Sequence, residues 1–256
     1  MIEVHVESHV SIITLNRPEA ANAMSTALLD EMNKALDSVD ANYDNFCTIL
    51  TGKGEKAFCA GADLKERKTM TDREVVRAVR YIGQTVNRVE SMRMPVIAAL
   101  NGVAFGGGLE LALACDLRIA AEHAKLGLTE TSLAIIPGAG GTQRLSRLIG
   151  PGQAKRLIYT AKSVAAHEAK KLGILEEVVS SSELLHGSKA LADTIATKGP
   201  VALEQAKLAI NRGLETDLMT GLEIEHLAYQ KTIPTRDREE GLRAFSEKRK
   251  PIYKGE

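Results

Sequence analysis

The chain contains no tryptophan, and aromatic residues make up only 4% of its 256 residues. This scarcity excludes the flat π platforms on which sugars or unpaired bases stack along a groove. Net charge is also missing: 33 Lys and Arg balance 33 Asp and Glu, so no overall field draws nucleic acid or an anionic membrane, and any basic site must be local. The only cysteines are Cys47, Cys59 and Cys115, an odd number with no Cys-x-x-Cys pair. A disulfide framework is thereby excluded, zinc and redox-exchange spacings are missing, and a reducing cytoplasm fits best. The stretch from Met1 to Glu7 alternates apolar and charged residues and lacks the continuous apolar core of a signal peptide. The most apolar stretch, Val96 to Cys115, is interrupted by Asn101, a glycine triplet and Glu110, which makes it a poor membrane span. A soluble, cytoplasmic protein with no membrane partner is expected.

Familiar chemical signatures are absent too. No Gly-x-Ser-x-Gly elbow supports a serine hydrolase. Gly106-x-Gly108 is followed by Leu111 where a dinucleotide fingerprint needs glycine, and Gly138 to Gln143 lacks the Lys-Ser/Thr of a phosphate loop. Glu183-x-x-His186 and Glu223-x-x-His226 each match half of a di-iron motif, but that site also needs two more glutamates from facing helices. His5, His9, His123 and His167 make no metal spacing, so no metal is expected.

What remains, 44% hydrophobic and 26% charged, is the composition of an ordinary globular protein with ample length for a core. Period-two alternation predicts strands over Ile2 to Val6 and Val10 to Leu15. The spacing of Leu28, Leu29, Met32, Leu36 and Val39 predicts a helix capped by Ser25. Strands follow at Phe46 to Leu50, Pro95 to Leu100 and Leu117 to Ala120, with Val178-Val179 as a last short one. Between them, Thr71-x-x-Glu74 is a capping box for a helix to about Ser91. Gly106 to Gly108 reads as a tight turn before a helix from Leu109, and Pro137 to Gly141 as a second glycine turn before a helix from Thr142 to Ile149. One helical pattern covers Ala154 to Leu172, and beyond Lys198-Gly199-Pro200 only helices remain: Val201 to Asn211, Asp217 to Lys231 and Arg236 to Lys248. The expected organisation is an α/β core over residues 1–198 and a helical region over 199–256. The face made by Leu203, Ala206 and Ile210 must pack on the core or on another chain.

The glycine turns could aim backbone N–H groups at an anion or a developing oxyanion, or could simply allow close strand-helix packing. Glu110 tilts the first turn towards chemistry, because it is a carboxylate in the opening turn of the otherwise apolar Leu109 to Ala114. The helix N-terminus would hold it ionised and suited to act as a base. Glu130 lies just before the apolar Leu133 to Ile136. Two carboxyls sharing a dry pocket would repel, raising one pKa and giving an acid beside a base; either alone reads more readily as an exposed or capping residue. The basic runs Lys65, Arg67, Lys68, Arg73, Arg77, Arg80 and Lys248, Arg249, Lys250, Lys254 are solvated faces or, functionally, a surface for a phosphate-rich ligand.

Three runs of this sequence closely resemble the enoyl-CoA hydratase/isomerase (crotonase) superfamily. They are Phe58-Cys59-Ala60-Gly61-Ala62-Asp63-Leu64-Lys65-Glu66, then Asn101 to Leu111 with its Gly106-Gly107-Gly108-Leu109-Glu110, then Ile136-Pro137-Gly138-Ala139-Gly140-Gly141-Thr142-Gln143-Arg144. The style is closest to the enoyl-CoA hydratase and methylglutaconyl-CoA hydratase branch, and the resemblance spans essentially the whole chain. It implies an α/β, crotonase-like core of repeated β-β-α units, a C-terminal helical trimerisation region and a homo-oligomer, a trimer or dimer of trimers. It implies reversible addition of water across the 2,3 double bond of 2-enoyl-CoA thioesters to give 3-hydroxyacyl-CoA, as in fatty-acid β-oxidation. The peptide N–H groups of Ala62 and Gly107 would form the oxyanion hole, each such donor typically worth about 3 kcal/mol of barrier. Glu110 would act as base and Glu130 as acid. Coenzyme A contacts carry over to Lys56, Ala60 and Lys65, and to Phe245 and Lys248 reaching a neighbouring subunit's nucleotide. No cofactor is implied beyond the coenzyme A that the acyl-CoA substrate carries.

The alternatives are methylglutaconyl-CoA hydration, a Δ3,Δ2-enoyl-CoA isomerase and, outside enzymes, an RNA-binding protein. The last is disfavoured because Asp30 to Asp37 carries one lysine among three acids, and an acidic face repels phosphates. Acyl preference would depend on walls from Lys68 to Val79 and from the C-terminal helices.

Overall fold

The computed structural model describes residues 1–256. The chain begins with β1 (Ile2–Glu7), β2 (Val10–Leu15) and α1 (Thr26–Asp40), and then repeats a unit of strand, short strand and helix. The first unit is β3 (Cys47–Gly52), β4 (Ala57–Cys59), α2 (Leu64–Arg67) and α3 (Asp72–Glu90). The second is β5 (Val96–Leu100), β6 (Val103–Phe105) and α4 (Gly107–Leu113). The third is β7 (Leu117–Ala121), β8 (Lys125–Gly127), a short 3-10 turn (Glu130–Leu133), α5 (Gly141–Ile149) and α6 (Pro151–Thr160). The chain then passes through β9 (Val164–Ala165), α7 (Ala166–Leu172), β10 (Glu177–Val179) and α8 (Leu184–Ala196), and ends in α9 (Pro200–Gly213), α10 (Leu218–Thr232) and α11 (Arg236–Ser246).

The first strand of each unit joins a six-stranded sheet in the order β1-β2-β3-β5-β7-β10, parallel except for β1. Its central strand Val96–Leu100 is apolar at every position and buried throughout, as expected of a parallel sheet covered on both faces. One face, with Ile13, Leu15, Leu50, Ala98 and Leu100, belongs to the main core, which also takes in α1 and α3. The other face, with Ile12, Ile49, Ile97 and Ile119, is covered by Leu184 and Ala192 of α8. The edge strand β1 carries Glu3 and Glu7, charges that discourage pairing with another sheet edge.

The second strand of each unit joins a smaller sheet in the order β4-β6-β8-β9, in which β4, β6 and β8 run parallel. These strands have only three residues each, too few to show a period, and the sequence reading passed over them. Because they run parallel side by side, whatever follows each strand emerges at the same end of the sheet: Ala60 to Ala62 after β4, Gly106 and Gly107 after β6, Thr129 and Glu130 after β8.

Ser25 caps α1, its hydroxyl accepting from Leu28 N–H at 3.3 Å, and Glu74 accepts from Thr71 N–H and hydroxyl, both at 2.7 Å, as the capping signals predict. Two expectations are corrected. The helix expected from Leu109 begins at Gly107, so two of the three glycines are helical; a Cβ on Gly108 would lie 1.9 Å from the Cys59 carbonyl oxygen, so glycine here permits close packing. The single helical pattern over Ala154 to Leu172 is broken by β9, because Ala161 takes a left-handed conformation that ends α6.

Candidate active site

Ala62, Gly107, Glu110 and Glu130 line one cleft of about 660 Å³, together with Ala60 and Thr129 and an apolar wall that includes Leu64, Val75, Val79, Ile82 and Leu133. Val75 and Val79 fall within the segment expected to shape the acyl wall.

Backbone bonding orients the two amides. Met24 donates its N–H to Gly61 O at 2.7 Å, and Asp63 donates to Met24 O at 3.1 Å. In such a bridge the intervening residue points its own N–H the other way, so the Ala62 amide turns from Met24 towards the cleft, without a partner in the chain. Gly107 opens α4, where the first N–H groups have no intrahelical acceptor. A Cβ on Gly107 would lie 3.8 Å from Ala62 N, and one on Gly61 would lie 3.2 Å from Gly107 N, which sets the two donors side by side. Gly106 makes the sharp corner between β6 and α4 at φ +51° and ψ −125°, a conformation open to glycine.

The loop carrying Ala62 is anchored by Asp63. Its Oδ2 accepts from Arg17 Nη1 at 2.6 Å, and its Oδ1 accepts from Lys65 N at 2.9 Å and Glu66 N at 3.2 Å, capping α2. Burial pushes this carboxyl up, but Arg17 and the amides outweigh it and hold the group below the usual carboxylate range.

Glu110 is 2% exposed. Its Oε1 accepts from Ala139 N–H at 2.7 Å and Gly141 N–H at 2.8 Å, so the second glycine turn does aim amides at an anion, and that anion is this carboxylate. Its Oε2 makes no hydrogen bond within the chain. The expectation that the helix terminus holds it ionised is corrected: burial dominates and raises its pKa, while the Gly141 and Ala139 amides and the charge of Arg144 only oppose the shift. Arg144 braces the turn, donating to Ala139 O at 3.0 Å, to Glu90 at 2.6 and 3.1 Å and to Asn87 at 2.8 Å.

Glu130 faces Glu110's turn from the end of β8. A Cβ on Gly106 would lie 3.0 Å from its Oε1, and its Oε2 is buried with no partner. Burial first, and then the neighbouring Glu110 charge, push its pKa up to about 7, although its own backbone amide and Arg67 pull the other way. The pair therefore consists of one carboxyl supported by two amides and another with an orphaned oxygen. That asymmetry suits a base beside an acid, and the two amides suit a nearby oxyanion.

Of the residues expected to contact coenzyme A, only Ala60 lines this cleft. Lys56 lies on the exposed turn before β4, Lys65 on the exposed side of α2, and Lys248 just beyond α11. Phe245 is 86% exposed, with no covering group in its own chain. Sequence reasoning missed Arg144 as the brace behind Glu110 and placed Arg67 in a surface run, whereas it lines the cleft. The signal for Arg144 was its place three residues after the Gly140-Gly141 turn. Glu183 and His186 lie at the start of α8, Glu223 and His226 lie on α10, and neither pair gathers a third ligating side chain.

Residues 5–256 match the sequence profile of the Enoyl-CoA hydratase/isomerase family. The crystal structure of an enoyl-CoA hydratase from Bacillus anthracis superposes with a TM-score of 0.98 at 55% identity, covering 100% of this chain and 99% of that one. The human mitochondrial methylglutaconyl-CoA hydratase is 47% identical over 96% of this chain and 74% of its own length. A short-chain-enoyl-CoA hydratase of Clostridium acetobutylicum is 44% identical over 95% of this chain and 94% of its own.

Proposed function

The chain belongs to the enoyl-CoA hydratase/isomerase family, and from that premise we propose that its cleft adds water reversibly across the 2,3 double bond of 2-enoyl-CoA thioesters. The observation that carries this reading is the meeting of Glu110, Glu130 and the free amides of Ala62 and Gly107 in one cleft.

The amides of Ala62 and Gly107 receive the thioester oxygen. As the oxygen of water adds to C3, electron density moves through C2 and the carbonyl carbon onto that oxygen, where preformed dipoles stabilise the charge without reorganising. Glu110 takes the proton from water, since the Ala139 and Gly141 amides support its ionised form. Glu130, raised towards neutrality by burial, gives its proton to C2. The product is a 3-hydroxyacyl thioester, and the reverse reaction exchanges the two roles. Two carboxyls and two amides supply every proton transfer and the charge stabilisation, so the reaction needs no cofactor beyond the coenzyme A of the substrate.

The oligomer belongs to the same reading. α9, α10 and α11 leave Ile210, Leu214, Leu218, Met219 and Phe245 exposed, an apolar surface that supports assembly into a trimer or dimer of trimers. Across such an interface Phe245 and Lys248 would reach a neighbour's coenzyme A, while Lys56, Ala60 and Lys65 serve their own chain's. No helix is long and apolar enough to cross a membrane. Cys47, Cys59 and Cys115 are all buried and unpaired, with thiols pushed up to about 12 by burial, which fits a reducing cytoplasm.

The test is hydration of crotonyl-CoA by the wild type, Glu110→Gln and Glu130→Gln, followed by loss of the conjugated thioester absorbance. Each substitution is expected to lower kcat by about 10²- to 10⁴-fold. Full activity in either variant would remove the assigned mechanism. Turnover of a 3-enoyl thioester with no hydration of the 2-enoyl form would make the chain an isomerase.

A further inference from the structure

Asn22 is a fully buried polar side chain outside the cleft, and its amide group bonds only to backbone that supports the Ala62 loop. Its Oδ1 accepts from Arg17 N–H at 2.9 Å, and its Nδ2 donates to Lys53 O at 3.2 Å and Ala57 O at 2.8 Å. Asn101 grips the same Ala57 carbonyl. Its Nδ2 donates to Ala57 O at 3.0 Å and to Gly54 O at 2.6 Å, while its Oδ1 accepts from Gly52 N–H at 3.0 Å. Two side-chain amides thus meet on the first residue of β4, the strand that ends in the Ala60 to Ala62 loop. Asn101 itself stands just ahead of β6, the strand that ends in Gly106 and Gly107. The ladder between these strands is short and shifts register between Ala57 and Cys59, so it fixes their relation only loosely.

The backbone at Asn22 serves the same loop. Ala21 and Asn22 both take left-handed conformations, at φ +52° and +54°, which asparagine tolerates and alanine resists. This corner lets Ala21 O accept from Ala60 N–H at 3.0 Å and leads to Met24, whose N–H and carbonyl bracket Ala62 by bonding Gly61 O and Asp63 N–H. Backbone held in such a region persists only where its surroundings over-determine it. The Asn22 amide does so: Oδ1 closes the corner onto Arg17, and Nδ2 ties the corner to β4.

We propose that Asn22 is a positioning residue for the oxyanion pair. Together with Asn101 it fastens residues 17–24 to the start of β4, and through that fastening holds the Ala62 N–H beside the Gly107 N–H. The inference rests on the reading of these two amides as the thioester-oxygen site and adds a residue that acts on that oxygen without touching it.

The experiment records the infrared carbonyl stretch of butyryl-CoA, isotope-labelled at the thioester carbonyl, free and bound to the wild type, Asn22→Gly and Asn101→Ala, beside kcat and KM for crotonyl-CoA. Butyryl-CoA has no double bond, so its band reports the two amides without turnover. Glycine at position 22 suits the left-handed backbone, and so Asn22→Gly removes the amide group alone. The wild-type band is expected to move to lower frequency on binding. In Asn22→Gly that move should shrink, and kcat should fall about 10- to 100-fold with a smaller change in KM, because a donor displaced by a fraction of an ångström loses its grip on the developing charge. A folded Asn22→Gly that keeps both the wild-type band and the wild-type kcat overturns the proposal, whatever its loss of stability. If Asn22→Gly does not fold, Asn101→Ala loosens the same carbonyl and decides by the same two readouts. No move of the band in the wild type would instead overturn the oxyanion reading itself, and this inference with it.

Discussion

Glu110 and Glu130 differ in what their oxygens meet. Two amides hold one oxygen of Glu110, whereas a buried oxygen of Glu130 has no partner, an asymmetry that on the proposed reading leaves the proton of the pair on Glu130. The competent enzyme is then the singly protonated pair, and kcat/KM for hydration should follow a bell: falling in acid as Glu110 takes a proton, and falling in alkali as Glu130 loses its own near about 7. A flat profile across neutral pH would contradict the assignment. Stability carries the same signature. The folded Glu130 has a pKa raised from 4.5 to about 7, so its contribution is fully present below 4.5 and is lost as pH rises through 7. Glu130→Gln should therefore match the wild type at pH well below the first value and exceed it above the second, by about 1–2 kcal/mol after discounting for the partly open cleft; chemical denaturation at the two extremes measures it. The sequence exposed both glutamates as candidates, because a carboxylate in an apolar helical run is conspicuous. It did not expose Arg144 or Arg67 as cleft residues, because an arginine among other polar residues looks like any solvated face until its surroundings are known.

The element that fixes Glu110 is the turn from Gly138 to Gly141, and Arg144 holds that turn from the first turn of α5. Arg144→Met would free the Ala139 carbonyl and leave Glu90 unpaired. The expected outcome is a fall of about 10-fold or more in kcat with a smaller change in KM, since an amide that supports the base acts on chemistry more than on binding; steady-state kinetics with crotonyl-CoA decides it, and a loss confined to KM would assign Arg144 to binding. Tight contact of α4 with β4 gives a second element-scale expectation. Gly108→Ala would place a Cβ 1.9 Å from Cys59 O and should destabilise the fold by about 1–3 kcal/mol, read by thermal unfolding. Long elements were legible, since α1 and α3 carry whole helical periods with clear caps, while β1 and β2 alternate and β5 is an unbroken apolar run. Three-residue strands were not, because β4, β6 and β8 owe their existence to pairing with each other and not to any pattern along the chain.

The whole molecule leaves one surface unexplained by its own fold: Leu218 is 76% exposed and stands among other apolar residues on α9, α10 and α11. Light scattering after size exclusion should find a trimer or a dimer of trimers, and Leu218→Glu with Met219→Glu should shift it towards monomer and weaken acyl-CoA binding if Phe245 reaches across the interface. A wild-type monomer of full activity would count against both. The amino-acid sequence by itself determined the kinds of element, the mixed α/β class, the helical ending and the set of residues able to carry acid-base and oxyanion chemistry, because those follow from periodicity, caps and residue type. Only the tertiary structure decided which of those residues act together. Ala62, Gly107 and Glu130 share no local pattern; they meet because β4, β6 and β8 lie parallel and deliver their following loops to one end of the small sheet, and it is burial there that moves the protons of Glu110 and Glu130.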